Sequence, residues 1–527
     1  MNNRTAKQEK LTWFARFLNA IEKTGNNLPH PVTMFALLTA AVVLISGICA
    51  MLGVSATGEM IDSSTMEVTQ QTVRVVSLLN RDGLIYMLTS AVNNFTGFAP
   101  LGVVLVTMLG VGCAEGSGYL AALMKKAVSV TPARIVTPML VFLGVMSNVA
   151  SDIGYVVLVP MGAMIFMAYK RHPMAGLAAA FAGVSGGFSA NLLIGTLDPM
   201  LTGISTEAAH MVDPSYMVQP TANWYFMIVS TFVIVAIGTL VTDKIVEPRL
   251  MRETKAAGKP DTGQEEKVSE AALAPREKKA LRLANLTLFG FVFAVVATAL
   301  PQNSFLRNPE TGSLMSDSPF MSGLIVLIAL LFFLPSIVYG RMSGVYKNEK
   351  DVCAQLGTNM ASMGSYIALA FVASQFIGYF NYTGLGTVLA LKGAEILGNS
   401  GVSGPVLMVC LILFSAGINM LMGSASAKWT ILAPVFVPMF MLLGYSPELT
   451  QVAYRIGDSC TNLITPLMSY FAMIVVYVRR YDENSGIGTL IATMLPYSLC
   501  FLIGWSLLLV AWMMLGLPLG PGAAMYL

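Results

Sequence analysis

Charge is scarce in this chain. Asp, Glu, Lys and Arg make up 11% of its 527 residues, against about 25% in an ordinary soluble domain. With 55% hydrophobic residues and a mean hydropathy of +0.69, that scarcity excludes a soluble globular protein and implies a polytopic membrane protein. The net charge of +3 gives no reason to expect nucleic acid as a partner. Histidine is rarer still: His30, His172 and His210 all fall in loops or at expected membrane edges. The GVSG runs at 183–186 and 401–404 therefore lack the membrane base that a nucleophilic serine needs, and they read as close helix packing. Six cysteines (Cys49, Cys113, Cys353, Cys410, Cys460, Cys500) lie far apart, without a CxxC or a metal-ligand cluster, and read as small packing residues. There is no HExxH, no Walker A and no dinucleotide fingerprint, so neither a cofactor nor enzymatic chemistry is expected. Residues 1–30 are polar and basic and do not read as a cleavable signal.

What is present is a set of long apolar runs with unusual interruptions. Residues 1–30 read as a cytoplasmic segment in which Leu11–Lys23 forms an interfacial amphipathic helix, with Trp13, Phe14, Phe17, Leu18 and Ile21 on one face. Nine membrane spans are expected, at 31–52, 98–114, 174–201, 224–240, 284–300, 320–339, 359–380, 448–476 and 489–515. Segment 136–170 is broken at Ser147–Gly154 and at Pro160, and has Lys125, Lys126 and Arg134 before it and Lys170 and Arg171 after it. Basic residues at both ends favour a re-entrant hairpin that enters and returns on the cytoplasmic side. Segment 403–445 is a second hairpin candidate with no basic flank, so it would open outside. The charged stretch 243–283 is a cytoplasmic linker between a first repeat, 31–242, and a second half, 284–527.

The halves match. At an offset of 274, Pro160 meets Pro434, Pro173 meets Pro447, Gly183 meets Gly457 and Tyr155 meets Trp429. A shift of three superposes Asn191 on Asn462, and upstream Gly112 and Gly118 meet Gly378 and Gly384. The expected fold is an all-α polytopic membrane protein, with about nine transmembrane helices and two re-entrant hairpins in an inverted-topology repeat. Broken helices at the interface of such repeats are where secondary transporters hold substrate and coupling ion.

Four broken elements would then converge. The first hairpin offers Asn148, Ser151 and Asp152; span 174–201 offers Asn191 and Asp198; the second hairpin offers Ser424, Ser426, Lys428 and Trp429; span 448–476 offers Arg455, Asp458, Asn462 and Thr465. Ionisable residues at membrane depth are functional by default, so Asp152, Asp198 and Asp458 are candidates to bind a cation or carry a proton. Asp458 could instead pair with Arg455, three residues away on one helix face. Arg455 could clamp a carboxylate. Lys428 could do the same or snorkel to the surface. Trp429 could stack on an aromatic ring or sit at the lipid interface. The neutral oxygens of Asn148, Asn191, Asn462, Ser151 and Thr465 suit Na⁺, or could satisfy broken backbone.

The stretches NNFTGFAPLG (93–102), GISTEAA (203–209), NWYFM (223–227), TDKIVEPRL (242–250), ILAPVFVPMFMLLG (431–444) and GLPLGPG (516–522) make the chain resemble the AbgT family of bacterial inner-membrane transporters over nearly its whole length. The resemblance implies a homodimer, nine spans and two hairpins per protomer, and substrates such as p-aminobenzoyl-glutamate, p-aminobenzoate and related folate metabolites. Some members export sulfonamide antimetabolites. It carries site roles onto Asp198 in LLIGTLDP, Ser426 and Trp429 in SASAKW, Pro447 in YSPE, Arg455 and Asp458 in YRIGDS, and Pro466 in NLITP; Lys428 joins them on charge alone. The coupling cation is H⁺ or Na⁺, the carboxylates leaning to H⁺. A channel or uniporter for small aromatic carboxylates is the alternative, with an integral membrane enzyme further behind.

Overall fold

The structure is a computed structural model that describes residues 29–61, 68–129, 131–150, 154–256, 273–314, 318–468, 470–482 and 485–527. The expected helix Leu11–Lys23, and the candidates Ser151 and Asp152, lie outside the described residues. Among those described, six helical stretches are long and apolar enough to cross a membrane: Pro31–Met51, Arg81–Gly116, Trp224–Glu253, Pro275–Ala299, Leu324–Ser343 and Ile487–Leu515. A seventh is made if Glu349–Ser362 and Gly364–Tyr382, bent by 41°, count as one span. Their outward faces are bare hydrocarbon: Leu286 is 67% and Phe293 74% exposed on Pro275–Ala299. Apolar surface of that extent needs lipid against it.

The remaining apolar segments are shorter helices joined by breaks. Segment 136–170 folds as Val136–Ser147 and, after a π-helical turn at Gly154–Leu158, Val159–Ala168. Segment 403–445 folds as Gly404–Asn419 and Ala425–Met441. Neither 174–201 nor 448–476 is one continuous helix. The first is Pro173–Phe181, a π-helical turn to Gly186, a non-helical stretch and then Leu197–Ala209; the second is Pro447–Thr461, a break, and Phe471–Arg479. Proline opens several of these pieces at the first helical position, where no N–H is needed, as at Pro173 and Pro447.

Other differences from expectation have local causes. The strands Ser55–Ile61 and Val68–Arg74 pair antiparallel, in register Ser55 to Arg74; their threonines and valines favour a pleated strand. Helices Tyr119–Ser129 and Leu385–Asn399 follow Gly118 and Gly384, which hold positive φ of 79° and 68°, a left-handed turn that glycine makes without penalty. Within the charged stretch 243–283, helix runs on to Ala256 and begins again at Pro275. Arg171 does not stand free at the end of the first hairpin. Its guanidinium ties Asp243 and Glu247, at the end of the helical stretch Trp224–Glu253, and donates to Thr137 Oγ1 at 2.6 Å.

Where the broken elements touch, glycine sets the distance. A Cβ on Gly183 would stand 2.3 Å from Val141 O of the first hairpin, and one on Gly457 would stand 2.3 Å from Ile412 O of the second. The same closeness joins two spans at Gly110, whose Cβ would meet Ala329 O at 2.0 Å. Gly110→Ala is therefore expected to destabilise the fold by about 1–3 kcal/mol, an overpacking cost, read as a lowered melting temperature in detergent. Gly290→Ala, on a lipid-facing helix with nothing within 4 Å, is expected to leave the melt unchanged or raise it.

Candidate functional site

The site is built on Pro447–Thr461, a helix buried along its entire length. Ser446 caps its start by accepting from Leu449 N at 3.2 Å. Glu448, Gln451, Arg455, Asp458 and Asn462 recur every three or four residues, so they form one polar stripe. A buried polar stripe must be answered group by group, and its members reach partners on several other elements. Tyr216 donates its hydroxyl to Glu448 at 2.9 Å. Ser205 donates to Gln451 Oε1 at 2.6 Å, and Gln451 donates to Asn223 Oδ1 at 2.8 Å. Asn462 Oδ1 accepts from Asn419 at 2.9 Å.

The two ion pairs cross between elements. Arg455 Nη1 lies 2.7 Å from Asp198 Oδ1, both side chains 4% exposed. Asp458 pairs with Lys428, both 1% exposed, and the Lys428 ammonium also donates to Asn419 Oδ1. This replaces the local Arg455–Asp458 pair with tertiary ones. It also removes snorkelling as a role for Lys428 and places Asp198 in the interior rather than near a surface. Asp198 is further held by Gly195 N, which donates to its Oδ2 at 2.7 Å. Trp429 is wholly buried: its indole N–H donates to Ser205 Oγ at 2.9 Å, and its ring stacks on Tyr454 at 4.5 Å. It is a core residue of the site wall, not a lipid-interface anchor.

Beside this wall lies a cavity of about 580 Å³ where the breaks meet. Of the expected residues, Ser426, Asn148 and Asn462 line it, with Ser424. Asp198, Lys428, Trp429, Arg455 and Asp458 do not line it; they stand behind those that do. Two helix starts face the cavity, Thr196–Leu197 opening Leu197–Ala209 and Ser424–Ala425 opening Ala425–Met441. Helix N-termini carry positive partial charge and unpaired N–H groups, a ready site for a carboxylate. Tyr155 and Tyr470 also line the cavity and stack at 4.9 Å, nearly parallel at 8°.

Other expectations fall elsewhere. Asn191 and Thr465 are buried and serve broken backbone, accepting from Leu193 N at 3.3 Å and Leu467 N at 3.4 Å. Pro466 lies in the break after Thr461, partly buried. Pro447 opens the long buried helix at the end away from the cavity, roughly 20 Å from Asn462 at 1.5 Å per residue. Sequence reasoning missed Asn419, Ser205, Gln451, Asn223 and the Tyr155–Tyr470 pair. Asn419 carried a signal: it stands 271 residues after Asn148, the offset that relates Asn191 to Asn462.

Leaving one partner of a buried pair uncompensated costs about 3–5 kcal/mol, whereas replacing both is tolerated. Arg455→Met is expected to lower stability by that amount. The Arg455→Met/Asp198→Asn double variant is expected to recover most of it in a thermal melt. Full additivity of the two single changes would show that the pair does not form.

A model of the "AbgT putative transporter family" matches residues 16–527. The p-aminobenzoyl-glutamate transport protein of Escherichia coli K12 is 40% identical over 503 residues, 95% of each chain. Among solved structures, the Alcanivorax borkumensis YdaH transporter is 46% identical, with a TM-score of 0.86 over 94% of this chain and 100% of that one. Neisseria gonorrhoeae MtrF, described within a class of antimetabolite efflux pumps, is 47% identical, with a TM-score of 0.87 over 96% and 100%. The chain belongs to the AbgT family: it is a multi-pass membrane transporter and not an enzyme.

Proposed function

We propose that this transporter carries p-aminobenzoyl-glutamate, p-aminobenzoate and related folate metabolites, and exports sulfonamide antimetabolites, by coupling to an ion gradient across a bacterial inner membrane. The observation that carries the reading is the cavity in which two helix N-termini, the hydroxyls of Ser424 and Ser426, and a pair of tyrosines meet. A p-aminobenzoyl group is flat and aromatic, and its glutamyl tail is anionic. The ring packs against Tyr155, and the carboxylates sit at the helix starts, where N–H groups replace their lost water. Arg455, tied to Asp198, braces the helix start from behind rather than clamping the substrate directly. Relatives described as a p-aminobenzoyl-glutamate transport protein and as antimetabolite efflux pumps support the same substrate class.

The chain works as a homodimer with its N-terminus in the cytoplasm, nine spans and two hairpins per protomer. The halves are inverted repeats, and the recurrence of the Gly183 and Gly457 contacts supports that relation. Of the coupling ions, H⁺ stands ahead of Na⁺ on the strength of the buried carboxylates Asp198 and Asp458, with Asp152 as a further candidate. Alternating access follows from rocking one half against the other around the cavity.

Flux of labelled p-aminobenzoyl-glutamate in proteoliposomes, with pH and Na⁺ gradients imposed separately, tests the proposal. Uphill movement is expected; flux that only equilibrates would establish a channel or uniporter instead. Tyr155→Ala is expected to raise KM about twofold to tenfold, the worth of an aromatic contact of about 0.5–1.5 kcal/mol. An unchanged KM would remove the ring from that position.

A further inference from the structure

The span Pro31–Met51 begins on the wall of the cavity. His30, Pro31 and Met34 line it, beside the breaks that supply Asn148, Ser424 and Asn462. Phe35, wholly buried and edge-on to Phe376 at 5.9 Å, holds that helix start in place. His30 is the N-cap of the helix, and its Nδ1 accepts from Val32 N at 3.4 Å. A ring nitrogen that accepts carries no proton, so the neutral imidazole holds its proton on Nε2. Pro31 has no N–H, and that of Val32 is already taken by the ring. What this helix start presents is therefore the exposed imidazole with its Nε2–H.

Charge singles out the same residue. Among the described residues that line the cavity there is no Asp, Glu, Lys or Arg. Histidine is the one residue type among them able to take up a positive charge between about pH 5 and 8. The cations behind the wall are already paired, Arg455 with Asp198 and Lys428 with Asp458. Tyr155 and Tyr470 are the other titratable side chains on the wall, and a phenol stays neutral through that range. Among the described residues no carboxylate pairs with His30. An anion entering this cavity meets neutral donors and a single ring that can match its formal charge.

We propose that His30 is a substrate-binding residue: its Nε2–H donates to a carboxylate of the transported compound, and protonation of the ring adds a formal charge to that bond. The inference deepens the p-aminobenzoyl-glutamate reading and rests on it. A charge-assisted hydrogen bond is about twice as strong as a neutral one. The ring therefore holds an anion more tightly at low pH and lets it go more readily at high pH, without ever losing its donor. The cap and the donor use opposite nitrogens, so substitution separates them. In His30→Asn the amide oxygen can still accept from Val32 N, as asparagine does at N-caps, but no donor reaches the position of Nε2. In His30→Gln the longer side chain offers a distal N–H and gives up the cap.

The experiment is equilibrium binding of labelled p-aminobenzoyl-glutamate to the purified full-length protein, with a thermal melt of each variant. His30→Asn is expected to melt like wild type while its Kd rises about twofold to tenfold, the range of one lost hydrogen bond. His30→Gln is expected to melt lower, yet to bind more tightly than His30→Asn at about pH 8, where imidazole is neutral. Raising the pH from about 5 to about 8 is expected to weaken binding more steeply in wild type than in His30→Gln, because only the imidazole loses a charge over that range. A Kd unchanged in His30→Asn, or equal pH slopes in wild type and His30→Gln, would overturn the role of His30 and leave the substrate reading standing. A wild type that binds none of the compound would overturn the substrate reading, and the role of His30 with it.

Discussion

Two ion pairs buried almost completely, Arg455 with Asp198 and Lys428 with Asp458, constrain everything around them. Removing a charge from water costs several kcal/mol even after relaxation, and a single partner offsets this only when its geometry is held. The four charges come from three different elements, so none of those elements can shift alone without stranding a charge. The helix Pro447–Thr461 carries one member of each pair. Through Gln451 and Glu448 it adds hydrogen bonds to Ser205, Asn223 and Tyr216. It acts as the spine on which the second hairpin and Leu197–Ala209 are registered.

This arrangement divides the labour of the site. The formal charges, paired one to one, serve as wall and brace, while neutral hydroxyls, amides and helix ends face the cavity. A fixed N-terminal dipole attracts a carboxylate without needing to give up a salt bridge first. An arginine already satisfied by an aspartate cannot also clamp a substrate unless the pair opens. Asp198 is anchored by Gly195 N next to the start of its helix. Any motion of Arg455 is therefore felt at the cavity wall, where Thr196 and Leu197 stand.

Much of the architecture was legible in the sequence, and the reasons are physical. Low charge and long apolar runs demanded a membrane, and prolines with clustered polar residues marked where helix could not continue. Recurrent glycines pointed to close backbone contacts, as Gly183 and Gly457 make. Partner identity was not legible. Arg455 and Asp458 stand three residues apart, and the local rule that pairs such neighbours holds on exposed helix surfaces. In a buried helix each charge takes the partner that completes its own desolvated shell, and these came from Asp198 and Lys428. The strand pair Ser55–Ile61 and Val68–Arg74 was missed because its few β-branched residues are mixed with polar ones, without the long apolar run that marks a span. The tyrosine pair was missed because its members lie on different broken elements, and nothing in one sequence announces such a meeting.

The halves are alike in their backbone contacts and unlike in their chemistry. Around Asn419 the second half concentrates an ammonium, a carboxylate and further amide contacts. Around Asn148 the first half sets a glycine and a valine at the corresponding positions. If the two sites were chemically identical, each would weigh equally on the two conformations that expose the cavity to one side or the other, and an ion would bias neither. A population shifts only when a ligand binds one state better than the other. A tethered cation in one half is present at every step of a cycle, whereas the other half has none at the corresponding position among the described residues. That difference is the kind of asymmetry a gradient can act upon.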